Sequence, residues 1–207
     1  TITGNQLSVP TNIKVSTSGQ ITWDNITNAV KYQVKVDDGE WKDEVIGANY
    51  SSTLTATTGA HTIYVKAIGD GTNYFDSESG SVIVNVYSIT ITKADAGIKS
   101  VTGEGNYIEK TTITIAATLN DGYKFTSWSG DISSTTNNQS VLVDANKTIN
   151  ANSNAVEYSI SYDLDGGSVT GNPTTYTVES EDITLVNPTK EGYTFMGWSG
   201  TDLTGNN

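Results

Sequence analysis

Apolar and polar residues alternate with a period of two along most of the chain. The alternation is clear in four segments, at residues 21–23, 32–36, 61–67 and 82–86. This period sets one row of side chains toward a core and the other toward solvent, which predicts β-strands. Turn-forming Gly, Asp and Ser residues separate the segments. Short strands at this spacing predict a two-sheet sandwich that ends near residue 86.

The rest of the chain is also strand-like, and it repeats itself. Residues 87–91 (YSITI) return as residues 158–162 (YSISY), and residues 122–130 (GYKFTSWSG) return as residues 192–200 (GYTFMGWSG). The offsets are 71 and 70 residues, so one module recurs in tandem. A chain that repeats a small module is usually built for reach and display, because each copy needs its own core but rarely its own chemistry.

The first segment resembles a fibronectin type III domain. Residues 10–15 (PTNIKV), 21–24 (ITWD) and 29–34 (AVKYQV) look like the opening strands of that family. The resemblance implies that Trp23 is the core tryptophan of the second strand. It also implies that His61 stands where the family usually carries the tyrosine of its corner motif.

The second and third segments resemble two repeat families of bacterial surface proteins. Residues 102–107 (TGEGNY) and 121–131 (DGYKFTSWSGD) are similar to the divergent internalin-B-type B repeat. Residues 158–167 and 187–198 look like the Listeria–Bacteroides repeat. These resemblances imply compact, β-grasp-like modules. Lys110 stands where the B-repeat family often has a glycine, which leaves the geometry of that turn open.

The predicted fold is mainly β, with three segments in tandem. We predict a fibronectin type III-like β-sandwich at residues 1–86, a small β-grasp-like divergent B-repeat module at residues 87–156 and a β-grasp-like Listeria–Bacteroides-repeat module at residues 157–207. The connections between segments are very short, which predicts an elongated chain. After the Trp-Ser-Gly landmark the second module has 26 residues and the third has seven. We therefore expect the third module to be truncated, with an unpaired sheet edge.

Composition and charge argue against several kinds of partner. The chain has 23 acidic residues, 11 basic ones and a net charge of −12. A chain this acidic repels nucleic-acid phosphates and anionic membrane surfaces. No apolar run approaches the ~20 residues that cross a bilayer, so we predict neither nucleic-acid binding nor membrane insertion. Cysteine is absent, so disulfides and cysteine-based sites are excluded.

Candidates for catalysis or metal binding are few. His61 is the only histidine, and it lies on the core-facing phase of an alternating strand, which predicts a structural role. Acidic residues cluster at residues 37–44, 163–165 and 179–182, beside predicted turns, where they serve turn geometry and solubility. Neither the segment at residues 163–167 nor the one at residues 37–40 reaches the ligand count of a calcium loop. We predict no catalytic residue, no cofactor and no metal.

Aromatic residues are the best candidates for ligand contacts, because they offer flat surfaces of low conformational entropy. Trp128 and Trp198 occupy equivalent repeat positions, which indicates structural anchors. Trp41 follows an acidic turn near an expected sheet edge, and Tyr50 and Tyr74 are expected on loops nearby. We predict that Trp41, Tyr50 and Tyr74 bind a ligand. The alternative is that Trp41 packs beneath a loop.

The resemblances imply a non-catalytic stalk, spacer or adhesion segment of a bacterial surface or secreted multidomain protein, located outside the cell. The alternative function is a carbohydrate-binding or accessory module of a secreted polysaccharide-degrading enzyme. We expect a monomer whose partner is a glycan or protein of the host or the cell wall. A contact through the sheet edge of the third module is also expected. Quenching of Trp41 by a soluble glycan would favour the carbohydrate-binding module.

Overall fold

The computed structural model describes residues 4–45, 47–51 and 57–200. Within these ranges every regular element is a β-strand, so the prediction of a mainly β fold is confirmed. The strands are β1 (Asn5–Gln6), β2 (Lys14–Val15), β3 (Gln20–Thr22), β4 (Lys31–Val36), β5 (Lys42–Val45), β6 (Asn49–Ser51), β7 (Gly59–Ile68), β8 (Tyr74–Phe75), β9 (Gly80–Lys93), β10 (Ile98–Thr102), β11 (Gly105–Ile108), β12 (Thr112–Leu119), β13 (Tyr123–Gly130), β14 (Gln139–Leu142), β15 (Lys147–Ala155), β16 (Tyr158–Ser159) and β17 (Thr175–Tyr176). The described part of the chain contains no helix that could cross a membrane.

Two sheets contribute to a first hydrophobic core. One is the three-stranded sheet β2-β3-β6, and the other is a larger sheet in which β5, β4, β7 and β9 are successive neighbours. Along β7, Ile63 and Val65 are fully buried in this core, whereas Tyr64 and Lys66 lie on the opposite face. Ile21 of β3 enters the core from the smaller sheet. Each such side chain contributes roughly 1.5–3 kcal/mol of transfer free energy when it is fully buried.

A second core lies between the sheet β10-β12-β14 and the end of the larger sheet, where β9 pairs with β15 and β15 with β13. Trp128 of β13 is the largest side chain in it and is 1% exposed. Its indole Nε1 donates to the carbonyl oxygens of Thr136 (3.0 Å) and Asn137 (2.9 Å). The only polar atom of the ring is therefore satisfied inside the core.

The 14-residue strand β9 belongs to both cores. Val84 and Val86 are buried in the first core, and Ile89 and Ile91 are buried in the second. The phase of burial changes from even to odd residues between them, so opposite faces of β9 meet the two cores. The predicted boundary after Val86 thus lies inside a continuous strand.

Strand β11 spans this junction on the other edge of β9. Val86 pairs with residues of both β7 and β11, and Ile89 pairs with residues of both β11 and β15. Because a strand has only two edges, β7 and β15 follow one another along one edge and β11 occupies the other. Ile108 at the end of β11 is buried in the first core. Asn85 Nδ2 also donates to Glu109 Oε2 (3.0 Å), which holds the end of β11 to β9 beside the first core.

The turn after β11 contains Lys110. Its φ of +67° is a left-handed conformation that glycine adopts at lower cost. The Lys110 N–H donates to the carbonyl oxygen of Val143 (2.7 Å), which holds the turn against the second core. The turn therefore has the backbone conformation expected of a glycine at this position.

The third segment is much more open than the second. Its described part, residues 157–200, contains the strand pair β16–β17 and an isolated bridge between Ser168 and Thr189, and none of its residues is fully buried. Tyr193 and Met196 are 72% and 89% exposed. In the second segment, β14 and β15 follow the Trp-Ser-Gly landmark and close the core, whereas the described part of the third segment ends at that landmark.

Candidate ligand-binding surface

The turn between β4 and β5 positions Trp41. Asp37 begins the turn with a φ of +51°, and its N–H donates to the carbonyl oxygen of Thr62 (2.8 Å). The Asp37 carboxylate oxygen Oδ1 accepts the N–H of Thr62 in return (2.7 Å). The Gly39 N–H donates to Val36 and tightens the turn. These bonds fix the turn to β7, and Trp41 follows it directly before β5.

The indole of Trp41 lies against two lysine side chains. Nζ of Lys66 is 4.8 Å and Nζ of Lys35 is 5.4 Å from the centroid of the ring. Lys35 Nζ is also 4.8 Å from the ring centroid of Tyr64. Cations at such distances are attracted to the electron-rich ring faces. We call Lys35, Trp41, Tyr64 and Lys66 the Trp41 surface; its strand residues lie on the face of the larger sheet that is turned away from the first core.

The other two predicted ligand residues lie elsewhere. Tyr50 belongs to β6 in the smaller sheet, and Tyr74 belongs to β8, which pairs with β1. Both are half-buried and pack against the first core. The structure therefore does not bring Tyr50 and Tyr74 together with Trp41 into one site.

His61 and Asp37 form an ion pair at the end of β7. The two residues approach to 2.8 Å between His61 Nδ1 and Asp37 Oδ2, and the histidine side chain is 13% exposed. On its other side, Nε2 faces the carbonyl oxygen of Thr57 (3.2 Å) and the Thr57 hydroxyl (3.3 Å). A carbonyl oxygen only accepts, so both ring nitrogens are placed to donate. This arrangement favours the imidazolium, which is not a general base.

The ion pair shifts both pKa values. The hydrogen bond to Asp37 raises the pKa of His61 above its ordinary 6.5, although partial burial opposes this. Partial burial also works against the charged form of Asp37, but the hydrogen bonds from His61 and Thr62 hold its pKa below 3.8. The contribution of Asp37 to stability is lost as the pH falls below 3.8 through its folded pKa. That of His61 is complete below 6.5 and is lost as the pH rises through its folded pKa.

Replacing His61 should therefore have a pH-dependent effect. We expect His61→Gln to lower the free energy of unfolding by about 1 kcal/mol near pH 5.5, because the pair is charged there and only partly exposed. The loss should shrink at an alkaline pH above the folded pKa of His61, because the wild-type imidazole is neutral there. Urea unfolding followed by circular dichroism at both pH values measures this difference. An equal loss at both would show that the pair contributes through packing alone.

Two further acidic residues, Asp70 and Asp165, stabilise local structure. The Asp70 carboxylate accepts backbone N–H groups of Tyr74 (2.9 Å) and Thr72 (2.8 Å), which hold its pKa far below the ordinary value. Asp165 of the Asp-Leu-Asp turn pairs with Lys190 at 3.0 Å. Among the residues that the structure describes, no three His, Asp or Glu side chains converge on a point that could hold a metal ion.

An open cleft of about 610 Å³ lies in the third segment. Tyr162 and Phe195 line it together with Trp198, whose ring centroid is 5.6 Å and 5.3 Å from theirs. Trp198 Nε1 is buried and has no hydrogen-bond partner within the described residues, in contrast to the equivalent Trp128. The cleft thus corresponds to the interior of an unfilled repeat core.

Sequence reasoning identified Trp41 but not the lysines that contact it. The strand alternation places Lys35 and Lys66 on the outward phase, and this phase is the one feature of the sequence that indicates their place on the outer sheet face. Their common contact with one ring depends on the register of β4 against β7 and on the path of the turn. Neither can be read from the alternation.

Two family models match the chain. Residues 87–157 match the divergent InlB B-repeat domain, and residues 158–207 match the Listeria-Bacteroides repeat domain. The predicted resemblance of these segments to B repeats is therefore confirmed. Repeats of this kind are typical of bacterial surface or extracellular proteins. Comparisons with curated proteins and with solved structures found no match. The resemblance of residues 1–86 to fibronectin type III stays a prediction.

Proposed function

We propose that the chain is a non-catalytic spacer segment of a bacterial surface or secreted multidomain protein. In this proposal, a fibronectin type III-like sandwich and β-grasp-like repeats follow one another and hold another region at a distance from the cell wall. The matches to two repeat families of bacterial surface proteins support this function. The observation that carries it is the junction between the first two cores.

A spacer holds another region at a fixed distance, so the junctions between its domains must resist bending. The junction after Val86 has no linker, because β9 runs through it and presents opposite faces to the two cores. β11 pairs with β9 across the junction, at residues 86–89, along the edge of β9 opposite to β7 and β15. This pairing stiffens the junction. A bend here would break strand pairing and expose Ile108, which is buried in the first core. These features favour a stiff connection.

Distances between dyes test the stiffness. The chain contains no cysteine, so Ser18→Cys and Asp121→Cys place one dye on an exposed turn on each side of the junction. We expect a narrow distribution of single-molecule energy transfer. Tyr107→Pro should broaden it, since Tyr107 lies opposite Tyr87 in the β11–β9 ladder and proline cannot donate there.

The matched control is Tyr107→Ala, which removes the same ring but keeps the backbone N–H. It should leave the distribution narrower than Tyr107→Pro does. A broad distance distribution in the labelled chain that keeps Tyr107 would overturn the proposal of a rigid spacer.

Carbohydrate binding is the second candidate function. The observation that favours it is the Trp41 surface, where two aromatic rings and two ammonium groups lie together on one sheet face. Aromatic side chains of this kind suit sugar rings because they combine apolar faces with polar edges. This function is compatible with a spacer, since it needs only the outer face of the larger sheet.

A further inference from the structure

We propose that the Trp41 surface binds an anionic polysaccharide, that is, a glycan chain carrying carboxylate, sulfate or phosphate groups. The proposal rests on the second candidate function and names its ligand class. It also changes the predicted site, because Tyr64 and the two lysines take the place of Tyr50 and Tyr74 beside Trp41.

Two lysines of this strongly acidic chain meet at one aromatic ring. Acidic residues outnumber basic ones by 23 to 11, and every basic residue is a lysine. Lys147 and Lys190 each have a carboxylate oxygen within 3.0 Å. Among the side chains that the structure describes, Lys35 and Lys66 form no such ion pair and contact aromatic rings instead. Two neighbouring ammonium groups that have no carboxylate at ion-pair distance among the described side chains are suited to an anion from outside the chain.

The strand register brings the two charges together. Lys35 lies opposite Tyr64 in the β4–β7 ladder, and Lys66 lies opposite Gln33. Lys35 and Lys66 are therefore diagonal neighbours, whose backbones are about 7–8 Å apart in such a ladder. Both side chains extend to the same indole ring, so their ammonium groups repel each other. An anion bound between them would remove this repulsion and add two attractive charge interactions.

The aromatic rings specify the rest of the ligand. A small inorganic anion would use the ammonium groups but not the rings, and a neutral glycan would use the rings but not the ammonium groups. A glycan that carries anionic groups would use both. The exposed Asp38 and Glu40 lie on the turn before Trp41 and repel an anion there. We therefore expect the glycan to lie along the sheet face rather than over the turn.

Calorimetric titration of the full chain tests the proposal. The anionic probes are heparin for sulfate, polygalacturonate for carboxylate and poly(glycerol phosphate) for phosphate, and dextran is the neutral probe. The double variant Lys35→Gln/Lys66→Gln is compared with Lys14→Gln/Lys124→Gln, which removes two exposed lysines elsewhere. Both variants lose the same charge, and thermal unfolding shows that each is folded.

We expect saturable binding of at least one anionic probe and none of dextran. Affinity should fall about tenfold or more in Lys35→Gln/Lys66→Gln, and the control should keep its affinity within about twofold. Equal losses in the two variants would show non-specific attraction and overturn the proposal. Binding of dextran that survives Lys35→Gln/Lys66→Gln would keep carbohydrate binding but overturn the anionic ligand. Absence of binding to every probe would overturn both the anionic ligand and the carbohydrate-binding function. None of these outcomes bears on the rigid junction, which the dye distances test separately.

Discussion

Trp128→Ala should unfold the second core at much lower denaturant than the parent chain requires. We expect a loss of about 3–5 kcal/mol in the free energy of unfolding, because a large buried ring is removed and the cavity refills only in part. Trp128 is 1% exposed, and the ring of Phe125 lies 5.2 Å from it. The substitution also removes the donor of two hydrogen bonds, because the carbonyl oxygens of Thr136 and Asn137 accept the indole N–H of Trp128. Chemical unfolding followed by far-ultraviolet circular dichroism measures the loss.

The chain carries its own matched control for this experiment. Trp198 occupies the equivalent position in the third segment but is only half-buried, and its Nε1 has no partner within the described residues. Trp198→Ala should therefore cost less than about 1 kcal/mol, as substitutions at open sites usually do. Equal losses at the two positions would mean that the third segment has a core as complete as the second.

This comparison shows how far the repeat could be read from sequence. The landmark around each tryptophan predicted two equivalent anchors, and only Trp128 is enclosed. Enclosure depends on side chains that arrive later in the chain, such as Val141, Val143 and Ile149, and not on the landmark itself. A local motif therefore identifies the module but does not establish whether its core is filled.

Alternation predicted individual strands well and the junction poorly. Ile63 and Val65 are buried as the alternation at residues 61–67 predicts. In β9 the buried phase changes after Val86, a pattern that is typical of a break between elements. The strand continues because its two faces meet two different cores. That arrangement depends on tertiary contacts across the junction, which the pattern of one strand does not contain.

The candidate site has the same limitation. The aromatic character of Trp41 and its position after a turn were readable, and so was the outward phase of Lys35 and Lys66. Their meeting requires one register of β4 against β7, which pairs residues about 30 positions apart in the chain. Tyr50 and Tyr74 were expected nearby because loops were expected there, but both pack against the first core.

The proposed spacer function would expose the chain to tension along its length, and the second segment should resist this tension strongly. The chain enters that segment through β9 and leaves it through β15, and these two strands are parallel neighbours. Tension between entry and exit therefore slides β9 against β15 in shear. The register from Lys147 opposite Ile89 to Ala151 opposite Lys93 then shares the load over all its pairs at once.

Single-molecule pulling between introduced cysteines should reveal this geometry. Handles at Ile83→Cys and Asn154→Cys load β9 and β15 in shear, whereas handles at Ile83→Cys and Ala145→Cys pull the same two strands apart from one end. We expect the rupture force to be several-fold higher in the first arrangement, because the hydrogen bonds must fail together rather than one after another. The two arrangements share one handle and the same core, so they differ chiefly in the direction of loading. Equal rupture forces would mean that the β9–β15 pairing does not bear the tension, and that the repeat yields first at another contact.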